Sequence, residues 1–456
     1  LQKQYSNYFV VGLIDDDDLK LNNMLKGVKV LGNRHNIPHL IKEYEVEEIL
    51  IAAGNMTTEN LNDVFQICHK NSVKFKVVPS YVDMVTKEIQ ISKIRDIEIS
   101  DLLGREPIQL DVGSIRNVIQ DRVVMVTGAG GSIGTELCEK LLEFEPAALI
   151  MVDRGENYLH ELNVTLDGYD TRVQTHFIYG SVTNKEKMED IFRRHRPTVV
   201  FHAAANKHVP LMEVNVDEAI VNNVYGTKVV ADLSDAYKVE QFVLVSTDKV
   251  VKPTSIMGMT KRIAEQYIRF LSENSNTRFL AVRFGNVLGS KGSIVPMFKQ
   301  QISRGGPVTV THPDMERFFM LIPEAVGLIL QAVVMSSQGG NVFVLDMGNP
   351  VKIVDLARKM IQISGYKRRS DIEIRYVGIR PGEKLKEELS LDEEEIIPTF
   401  HDKIKMLRSN EPYNPNYDEW LDSLCRQALD SDAEKIKSVI SEMIPDMPNT
   451  TSKVRS

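Results

Sequence analysis

The chain has 456 residues, of which 43% are hydrophobic and 26% are charged, and its net charge at pH 7 is −8. This length is too great for one ordinary hydrophobic core and predicts two or three domains. The composition excludes a disordered chain, and the negative charge gives no reason to expect nucleic-acid binding. The three cysteines, Cys68, Cys138 and Cys425, lie far apart without a CxxC pair. That pattern fits a reducing compartment and argues against a structural metal.

The N-terminal part of the sequence alternates between strand and helix patterns, which favours a parallel α/β sheet. We predict a truncated Rossmann-like domain over residues 1–84. A nucleotide site in it would lack its phosphate-binding half, so a structural or regulatory spacer is the simpler interpretation. The predicted strands are 8–14, 48–53 and 74–78, and the predicted helices are 37–45 and 57–70.

A mixed and charged stretch, 85–120, predicts a linker, after which a second α/β pattern fills residues 121–288. Its rhythm is typical of a doubly wound parallel sheet. Residues 289–410 are irregular and rich in Pro and Gly, as in substrate-binding regions interleaved with a Rossmann core, and 411–456 predict a charged helical tail. The predicted strands are 123–126, 149–152, 174–179, 198–201, 241–246 and 279–284.

A glycine-rich turn predicts a dinucleotide site. Residues 127–134 read Thr-Gly-x-x-Gly-x-x-Gly between a predicted strand and a predicted helix. Gly128 permits the tight turn, Gly131 lets the backbone approach a diphosphate, and Gly134 lets the helix pack closely on the strand. The diphosphate would lie at the helix N-terminus, where free N–H groups and the helix dipole favour an anion.

Asp153 ends the next predicted strand, at the offset expected for a contact with ribose hydroxyls. Its charge disfavours the 2′-phosphate of NADP, although the adjacent Arg154 could tolerate one, so NAD is the expected cofactor. His202 and His208 lack a third ligand at a suitable spacing, and no metal site is expected. The other candidates for the cofactor site are Ser132, Ile133, Ser181, Val182, Ala203, Ala204, Ala205 and Asn223.

Residues 246–261 resemble the active-site segment of a short-chain dehydrogenase/reductase with one residue changed. Lys261 is present, but Met257 stands where that superfamily carries the Tyr that moves a proton during hydride transfer. A thioether has no proton to give. Either the protein is a dead enzyme or the proton chemistry is carried by other residues. Asp248 and Lys249 are the candidates, with a surface ion pair as their non-functional alternative.

Five long segments point to one family: 202–213, 247–249, 283–290, 308–313 and 380–384. With them the chain resembles the polysaccharide-biosynthesis nucleotide-sugar 4,6-dehydratases, within the extended short-chain dehydrogenase/reductase superfamily. Over residues 8–410 it is most similar to the long, membrane-anchored members of bacterial protein glycosylation, which also have Met at the Tyr position. The resemblance implies bound NAD, UDP-N-acetylglucosamine as substrate, and retention at C5. It also implies a homodimer through helices beside the sheet, including the helix that carries Lys261.

The implied reaction oxidises C4, removes the C5 proton, eliminates water from C6 and then reduces C6. We expect Lys249 to be the base at C5, provided that burial beside NAD+ and Lys261 depresses its pKa. Asp248 would protonate the departing 6-hydroxyl, and either Asp248 or Thr247 would handle the C4 proton. Lys261 would hydrogen-bond the nicotinamide ribose, and Met257 would fill the volume of the missing phenol.

The resemblance also implies which side chains bind the nucleotide sugar. Arg317 and Arg380 suit the diphosphate because a guanidinium fork matches phosphate oxygens, whereas Glu383 would accept a ribose hydroxyl. Any of these could instead form a structural ion pair. The other candidates are Lys207, Asn286, Ser290 and Lys291.

Two other functions remain open at this point. A UDP-sugar 4-epimerase would share the oxidation at C4 but would need no base at C5, and a non-catalytic NAD-sensing scaffold would need neither. No apolar run is long enough to span a bilayer, and the chain opens at Leu1. We therefore expect the natural N-terminus, and any membrane helices, upstream. Residues 1–456 are expected in the cytoplasm, at the inner face of a bacterial membrane in the full-length protein.

Overall fold

The structure is a computed structural model, and the residues that it describes are 9–52, 56–77, 95–103, 108–169, 171–336, 339–366, 371–409, 417–429 and 436. Parts of the predicted linker (85–94 and 104–107) and most of the predicted tail therefore lie outside the described residues. The chain divides into two compact units. The first takes its described residues from 1–106, 298–309 and 355–375, and the second from 107–297, 310–354 and 376–456.

The strands in chain order are β1 Leu13–Ile14, β2 Met24–Leu25, β3 Val28–Gly32, β4 Glu48–Ile51, β5 Lys74–Val77, β6 Arg95–Asp96, β7 Val123–Thr127, β8 Ala148–Asp153, β9 Gln174–Tyr179, β10 Val199–His202, β11 Gln241–Val245, β12 Arg278–Arg283, β13 Asn286–Val287, β14 Val308–Val310, β15 Glu316–Arg317, β16 Phe319–Met320, β17 Asn341–Leu345, β18 Val351–Lys352, β19 Ile374–Tyr376, β20 Glu394–Pro398 and β21 Ile404–Ser409.

The helices in chain order are α1 Ile37–Glu43, α2 Thr58–Asn71, α3 Val112–Ile119, α4 Ser132–Leu142, α5 Glu156–Leu166, α6 Lys185–His195, α7 Val209–Met212, α8 Val216–Ile220, α9 Gly226–Ala236, α10 Ile256–Ser272, α11 Ile294–Ser303, α12 Ile322–Met335, α13 Ile353–Ile363 and α14 Tyr417–Leu429.

The first unit contains a parallel strand pair with a helix between its strands. β4 and β5 pair in parallel on either side of α2 in the chain, as the N-terminal pattern predicts. The predicted strand 8–14 forms only as β1, which pairs with β3, and β3 was missed because its apolar run is short. Lys359 Nζ donates to Leu102 O at 3.2 Å, so a segment expected in the substrate-binding region belongs to this unit.

The second unit is built on one sheet of nine strands, in the order β20-β21-β17-β12-β11-β10-β7-β8-β9. The seven strands from β17 to β9 are parallel, and the order reverses at β7 and β10, which confirms the predicted doubly wound sheet. β17 was missed. β20 and β21 add two antiparallel strands within the stretch 289–410, which the sequence predicts to be irregular.

Two apolar cores cover the two faces of this sheet because side chains alternate along each strand. Met125 on β7 faces the core formed with α6, α9, α10 and α14. Its neighbours Val124 and Val126 face the core formed with α3, α4, α5 and α12. Helices on both faces leave the carboxyl ends of the parallel strands as the edge where a ligand can bind.

Helix α10, which carries Met257 and Lys261, is covered by α14 of the same chain. The Tyr417 hydroxyl donates to Ile263 O at 2.9 Å, and Lys228 of α9 pairs with an α14 carboxylate at 3.0 Å. The homodimer expected through α10 therefore stays a prediction and would need a surface that α14 leaves open. Among the described helices, none has the length and apolar character that a membrane crossing requires.

Candidate active site

The glycine-rich turn between β7 and α4 depends on missing side chains. Gly128 has a φ of 68°, and a Cβ there would lie 2.7 Å from Ala204 N. A Cβ on Gly134 would lie 2.1 Å from Gly128 O, which no real contact allows. Gly131 precedes the helix, and no side chain in the described part of the chain caps it. The N–H groups of the first turn of α4 are therefore free to bind an anion.

Asp153 ends β8 beside this turn. Its Oδ2 accepts from Gly130 N at 2.9 Å and its Oδ1 accepts from Gly155 N at 2.7 Å. Each carboxylate oxygen keeps acceptor capacity for a ribose hydroxyl. The neighbouring Arg154 donates to Asn206 Oδ1 at 2.5 Å, so its guanidinium already has an acceptor within the protein.

Other predicted cofactor residues surround the turn. Ser132 and Ile133 form the first turn of α4. Ser181 follows β9 with its hydroxyl 2.8 Å from that of Thr183, and Val182 is buried. Past β10, the backbone of Ala203 and Ala204 lies against Gly128, and Ala205 is exposed.

Asn223 connects the loop after β10 with α10. It is buried on a π-helical turn, Val221–Tyr225, and its Nδ2 donates to Asn206 O and to Thr260 Oγ1, both at 3.0 Å. Its Oδ1 accepts from Asn206 N at 2.7 Å. The amide thus joins the loop after β10 to α10, and its own polar atoms are taken up by the protein.

His202 is a core residue rather than a candidate metal ligand. Its Nδ1 lies 2.8 Å from Thr127 Oγ1 and its Nε2 lies 3.0 Å from Thr227 Oγ1. Burial, together with the charge of Lys261, lowers the pKa of His202 to about 3. The ring is therefore neutral, and both of its nitrogens have partners.

Met257 and Lys261 lie one turn apart on the same face of α10. Met257 is 4% exposed and packs in the apolar core, and its role as a space-filling residue stays a prediction. Burial lowers the pKa of Lys261 to about 8, and Glu265 one turn further opposes that shift. Within the described residues no hydrogen-bond acceptor holds the Lys261 ammonium, so this amine can reach a ribose hydroxyl.

Asp248 and Lys249 lie on a 3₁₀ turn that follows β11, here called the catalytic turn (Asp248–Val250). Thr247 begins it: its hydroxyl accepts from Lys249 N at 3.4 Å and donates to Asp248 Oδ1 at 2.9 Å. A Cβ on Gly258 would lie 2.3 Å from Lys249 O. Glycine beside Met257 therefore lets the catalytic turn pack on α10.

Lys249 is the centre of a charge cluster. Its Nζ donates to Asp248 Oδ1 at 2.9 Å and to Asn286 Oδ1 at 3.2 Å, and it lies 3.7 Å from Glu387 Oε1. Burial alone would lower the pKa of Lys249, but the carboxylates of Asp248 and Glu387 raise it above its ordinary value. The expectation of a depressed pKa is therefore wrong, because it left out these two negative partners.

Asp248 has one oxygen to spare. The residue is fully buried, and its Oδ1 takes the bonds from Thr247 and Lys249. Its Oδ2 is buried without a hydrogen-bond partner among the described residues, against the backbone of Gly285. An unpaired buried carboxylate oxygen costs free energy, and in a native protein it calls for a specific reason such as a catalytic role.

The predicted substrate-binding residues separate into two groups. Asn286 belongs to the charge cluster, and Lys207 Nζ donates to Ser290 Oγ at 3.4 Å, so these three lie along the carboxyl edge of the sheet. Lys291 does not join them. Its ammonium pairs with Glu161 of α5 at 2.5 Å.

Arg317 is buried and already occupied. Its guanidinium donates to the carbonyl oxygens of residues 384 and 385 at 2.8 and 3.3 Å, and its Nε lies 3.7 Å from Glu387 Oε1. A phosphate would have to displace these partners. Arg380 is exposed, and its backbone N–H donates to the Glu383 carboxylate at 3.4 Å.

Three carboxylates in and around the candidate site were missed from the sequence. Glu387 completes the charge cluster, and Glu213 accepts from the first N–H of α10 at 2.7 Å. Glu265 forms a buried ion pair with Arg283 at 2.8 Å. Glu213 ends a segment that carries the family resemblance, which was a usable signal. Nothing in the sequence distinguishes Glu387 from the adjacent Glu388.

Comparison with known proteins matches residues 124–409 to a family described as "Polysaccharide biosynthesis protein". The capsular polysaccharide biosynthesis protein CapD of Staphylococcus aureus is 46% identical over 85% of this chain and 65% of its own length. A UDP-glucose 4-epimerase of Rickettsia rickettsii is 32% identical over 60% of this chain and 79% of its own. The X-ray structure of Pen from Bacillus thuringiensis matches with a TM-score of 0.58 at 30% identity, over 64% of this chain and 90% of its own.

The chain thus spans about two thirds of the Staphylococcus relative and most of the other two. The family match covers more than half of the chain and contains both the glycine-rich turn and the catalytic turn. These matches, on a doubly wound sheet of the short-chain dehydrogenase type, show that the chain belongs to the polysaccharide biosynthesis protein family.

Proposed function

We propose that this chain is the catalytic part of an NAD-dependent 4,6-dehydratase that acts on UDP-N-acetylglucosamine with retention at C5. The observation that carries the proposal is the Asp248–Lys249 pair, buried at the carboxyl end of β11 beside the helix that holds Lys261. An acid and a base in contact are what an elimination needs, whereas an epimerase needs neither at C5. Membership in a polysaccharide biosynthesis family supports a sugar substrate.

The residues around the glycine-rich turn fit NAD. The backbone at Gly128 and Gly134 admits no side chain, the N-terminus of α4 suits the diphosphate, and Lys261 suits the nicotinamide ribose. The Asp153 carboxylate favours an unphosphorylated adenosine ribose, which supports NAD over NADP. When bound, NAD supplies a reversible two-electron oxidation, so the overall dehydration consumes no external oxidant.

The raised pKa of Lys249 means that this amine must lose a proton before it can act as a base. The 2.9 Å hydrogen bond to Asp248 offers a route. Transfer along it converts the ion pair into a neutral amine and a carboxylic acid. The amine then takes the C5 proton while the acid protonates the departing O6. The resulting ammonium, whose other protons exchange with solvent, gives one of its protons back to C5 when C6 is reduced.

The C4 hydroxyl proton has two routes. In a cycle that starts from the ion pair, Asp248 already carries the proton from Lys249, so the C4 proton leaves through Thr247 and one solvent proton later resets Lys249. In a cycle that starts with a neutral Lys249, Asp248 accepts the C4 proton and gives it to O6. The Thr247 hydroxyl, 2.9 Å from Asp248 Oδ1, serves both routes.

For the nucleotide sugar we propose Lys207, Asn286, Ser290 and Arg380 as the contacts. Arg380 is exposed on the 380–387 stretch and can pair with the diphosphate. Glu383 is assigned to a ribose hydroxyl. Arg317 is assigned to holding carbonyls of that stretch, since its donors are already used there.

The test is the product that the chain forms from UDP-N-acetylglucosamine in D₂O, followed by NMR. A 6-deoxy-4-keto sugar with deuterium at C5 and unchanged C5 configuration is expected. A 4-epimer that keeps its 6-hydroxyl would support the activity named for the Rickettsia relative instead. Unchanged substrate in the presence of bound NAD would favour a scaffold.

A further inference from the structure

Glu387 is a buried carboxylate between two cations. Its side chain is 4% exposed, and Oε1 lies 3.7 Å from both Lys249 Nζ and Arg317 Nε. The adjacent Glu388 is 45% exposed and pairs with Lys252 at the surface at 3.1 Å. The chain therefore places one of two consecutive glutamates inside the charge cluster and the other in solvent.

The stretch that carries Glu387 is hydrogen-bonded to the residues that directly follow the catalytic turn. Lys384 Nζ donates to Val251 O at 2.8 Å, and the Thr254 hydroxyl donates to Gly382 O at 3.2 Å. A Cβ on Gly382 would lie 2.7 Å from Glu213 Oε1. Arg317 adds its bonds to the carbonyls of residues 384 and 385, so Glu387 lies at the end of a segment held on both sides.

We propose that Glu387 is a positioning residue that holds the Lys249 ammonium and joins the 380–387 stretch to the catalytic turn. The proposal rests on the proposed function in one respect, that Lys249 is the base. Glu387 and Asp248 together give Lys249 and Arg317 two carboxylates, so the cluster is neutral before a nucleotide diphosphate arrives. Without Glu387, Lys249 would keep the Asp248 carboxylate alone, and Arg317 would lose its carboxylate partner.

The consequence for Lys249 has a definite sign. The groups that face its ammonium are Asp248, Glu387, Asn286 and, as a repelling charge, Arg317. Replacing Glu387 with the isosteric Gln removes an attracting charge and leaves Arg317 in place. Lys249 should then lose its proton at lower pH, whereas a residue that only supports packing would leave that pH unchanged.

The experiment measures the reactivity of Lys249 directly, on the full chain with NAD and without substrate. Competitive amine labelling across a pH series, read by mass spectrometry, reports the neutral fraction of Lys249, whose side chain is 19% exposed. In Glu387→Gln the Lys249 labelling rate at a fixed alkaline pH should rise roughly tenfold. In the matched control Glu388→Gln it should not change. An equal Lys249 rate in both variants would overturn the proposal.

A second variant covers the case in which Glu387→Gln does not fold. Glu387→Asp keeps the negative charge but moves it one methylene away from the Lys249 ammonium. It should raise the labelling rate of Lys249 by a smaller factor, about twofold to threefold. An unchanged rate in that folded variant would also overturn the proposal. Because labelling needs no sugar, a chain that fails to dehydrate UDP-N-acetylglucosamine still gives a clear result for Glu387.

Discussion

The glycine-rich turn and the catalytic turn both follow parallel strands of one sheet, but they are made differently. The glycine-rich turn is made by backbone: Gly128 and Gly134 leave no room for a side chain, and residues 127–134 are continuous in sequence. The catalytic turn depends on interactions between charged and polar side chains. Lys249 hydrogen-bonds to Asp248 next to it and to Asn286 of β13, and it forms an ion pair with Glu387 from far along the chain.

The two lysines of the site show what this difference does. Lys261 is buried with one carboxylate nearby, and burial lowers its pKa to about 8. Lys249 is also largely buried, but two carboxylates override burial and raise its pKa. Burial alone therefore does not set the protonation state of an active-site lysine. Carboxylates beside the amine oppose the effect of burial, and at Lys249 they outweigh it.

The largest expected effect comes from removing the central charge of the catalytic turn. Lys249→Ala should lower the rate of dehydration by about a thousandfold or more and abolish deuterium exchange at C5, because the base is gone. NAD should stay bound, since the glycine-rich turn is untouched. Turnover and exchange are followed by NMR and the cofactor by its absorbance after denaturation.

Lys252→Ala is the control for this change. Lys252 lies three positions further on, pairs with Glu388 and Asp392 at the surface, and should leave turnover unaltered. Retained C5 exchange in Lys249→Ala would exclude Lys249 as the base. The catalytic turn would then no longer be the part of the site that carries the acid–base chemistry.

A side chain added to the glycine-rich turn should weaken cofactor binding. In Gly134→Ala the added Cβ would meet Gly128 O at 2.1 Å, so the turn must shift. We expect a loss of NAD affinity of about tenfold to a hundredfold and a drop in unfolding free energy of about 2 kcal/mol. Calorimetric titration with NAD and urea unfolding measure the two effects.

Gly113→Ala is the matched control, in the first turn of α3. A Cβ there meets nothing closer than 3.6 Å, and a helical Gly→Ala change should stabilise slightly, by about 0.5 kcal/mol. If Gly134→Ala behaves like this control, the close approach at the turn is not what holds the cofactor.

The same difference explains which parts of the molecule the sequence predicts. Six of the seven parallel strands of the second unit, and residues 127–134, were predicted because their signals are local: apolar runs, a glycine spacing and an acidic residue at a fixed offset. β17 was missed because the surrounding Pro- and Gly-rich stretch hides one short apolar run. The raised pKa of Lys249 comes first from Asp248, its neighbour in the sequence, and then from Glu387. Glu387 lies 138 positions away in the sequence, and no local pattern marks that residue.

The pH dependence of stability should sharpen the contrast between the two lysines. Lys261 has a folded pKa of about 8, below its ordinary value, so the unfolded chain binds more protons between about pH 8 and about pH 10. Over that interval its contribution to the unfolding free energy should therefore rise with pH, by about 2 kcal/mol. Lys261→Met should remove that rise. Urea unfolding at several pH values tests this, with the exposed Lys352→Met as control. If the unfolding free energies of wild type and Lys261→Met change with pH in parallel, burial does not lower the pKa of this amine.

The smallest expected effect is at Met257, which we expect to pack in the core without taking part in proton transfer. Met257→Phe replaces one buried apolar side chain with another in the same core, so turnover should stay within about threefold of wild type.

Met259→Phe, two positions further in the same core, controls for overpacking and is compared by thermal unfolding. If Met257→Phe loses activity while both variants unfold at the same temperature, the sulfur or its flexibility takes part in the reaction. If both lose stability together, the core is too tight for Phe and only the packing argument is affected. Retained activity would place all the proton chemistry on Thr247, Asp248 and Lys249.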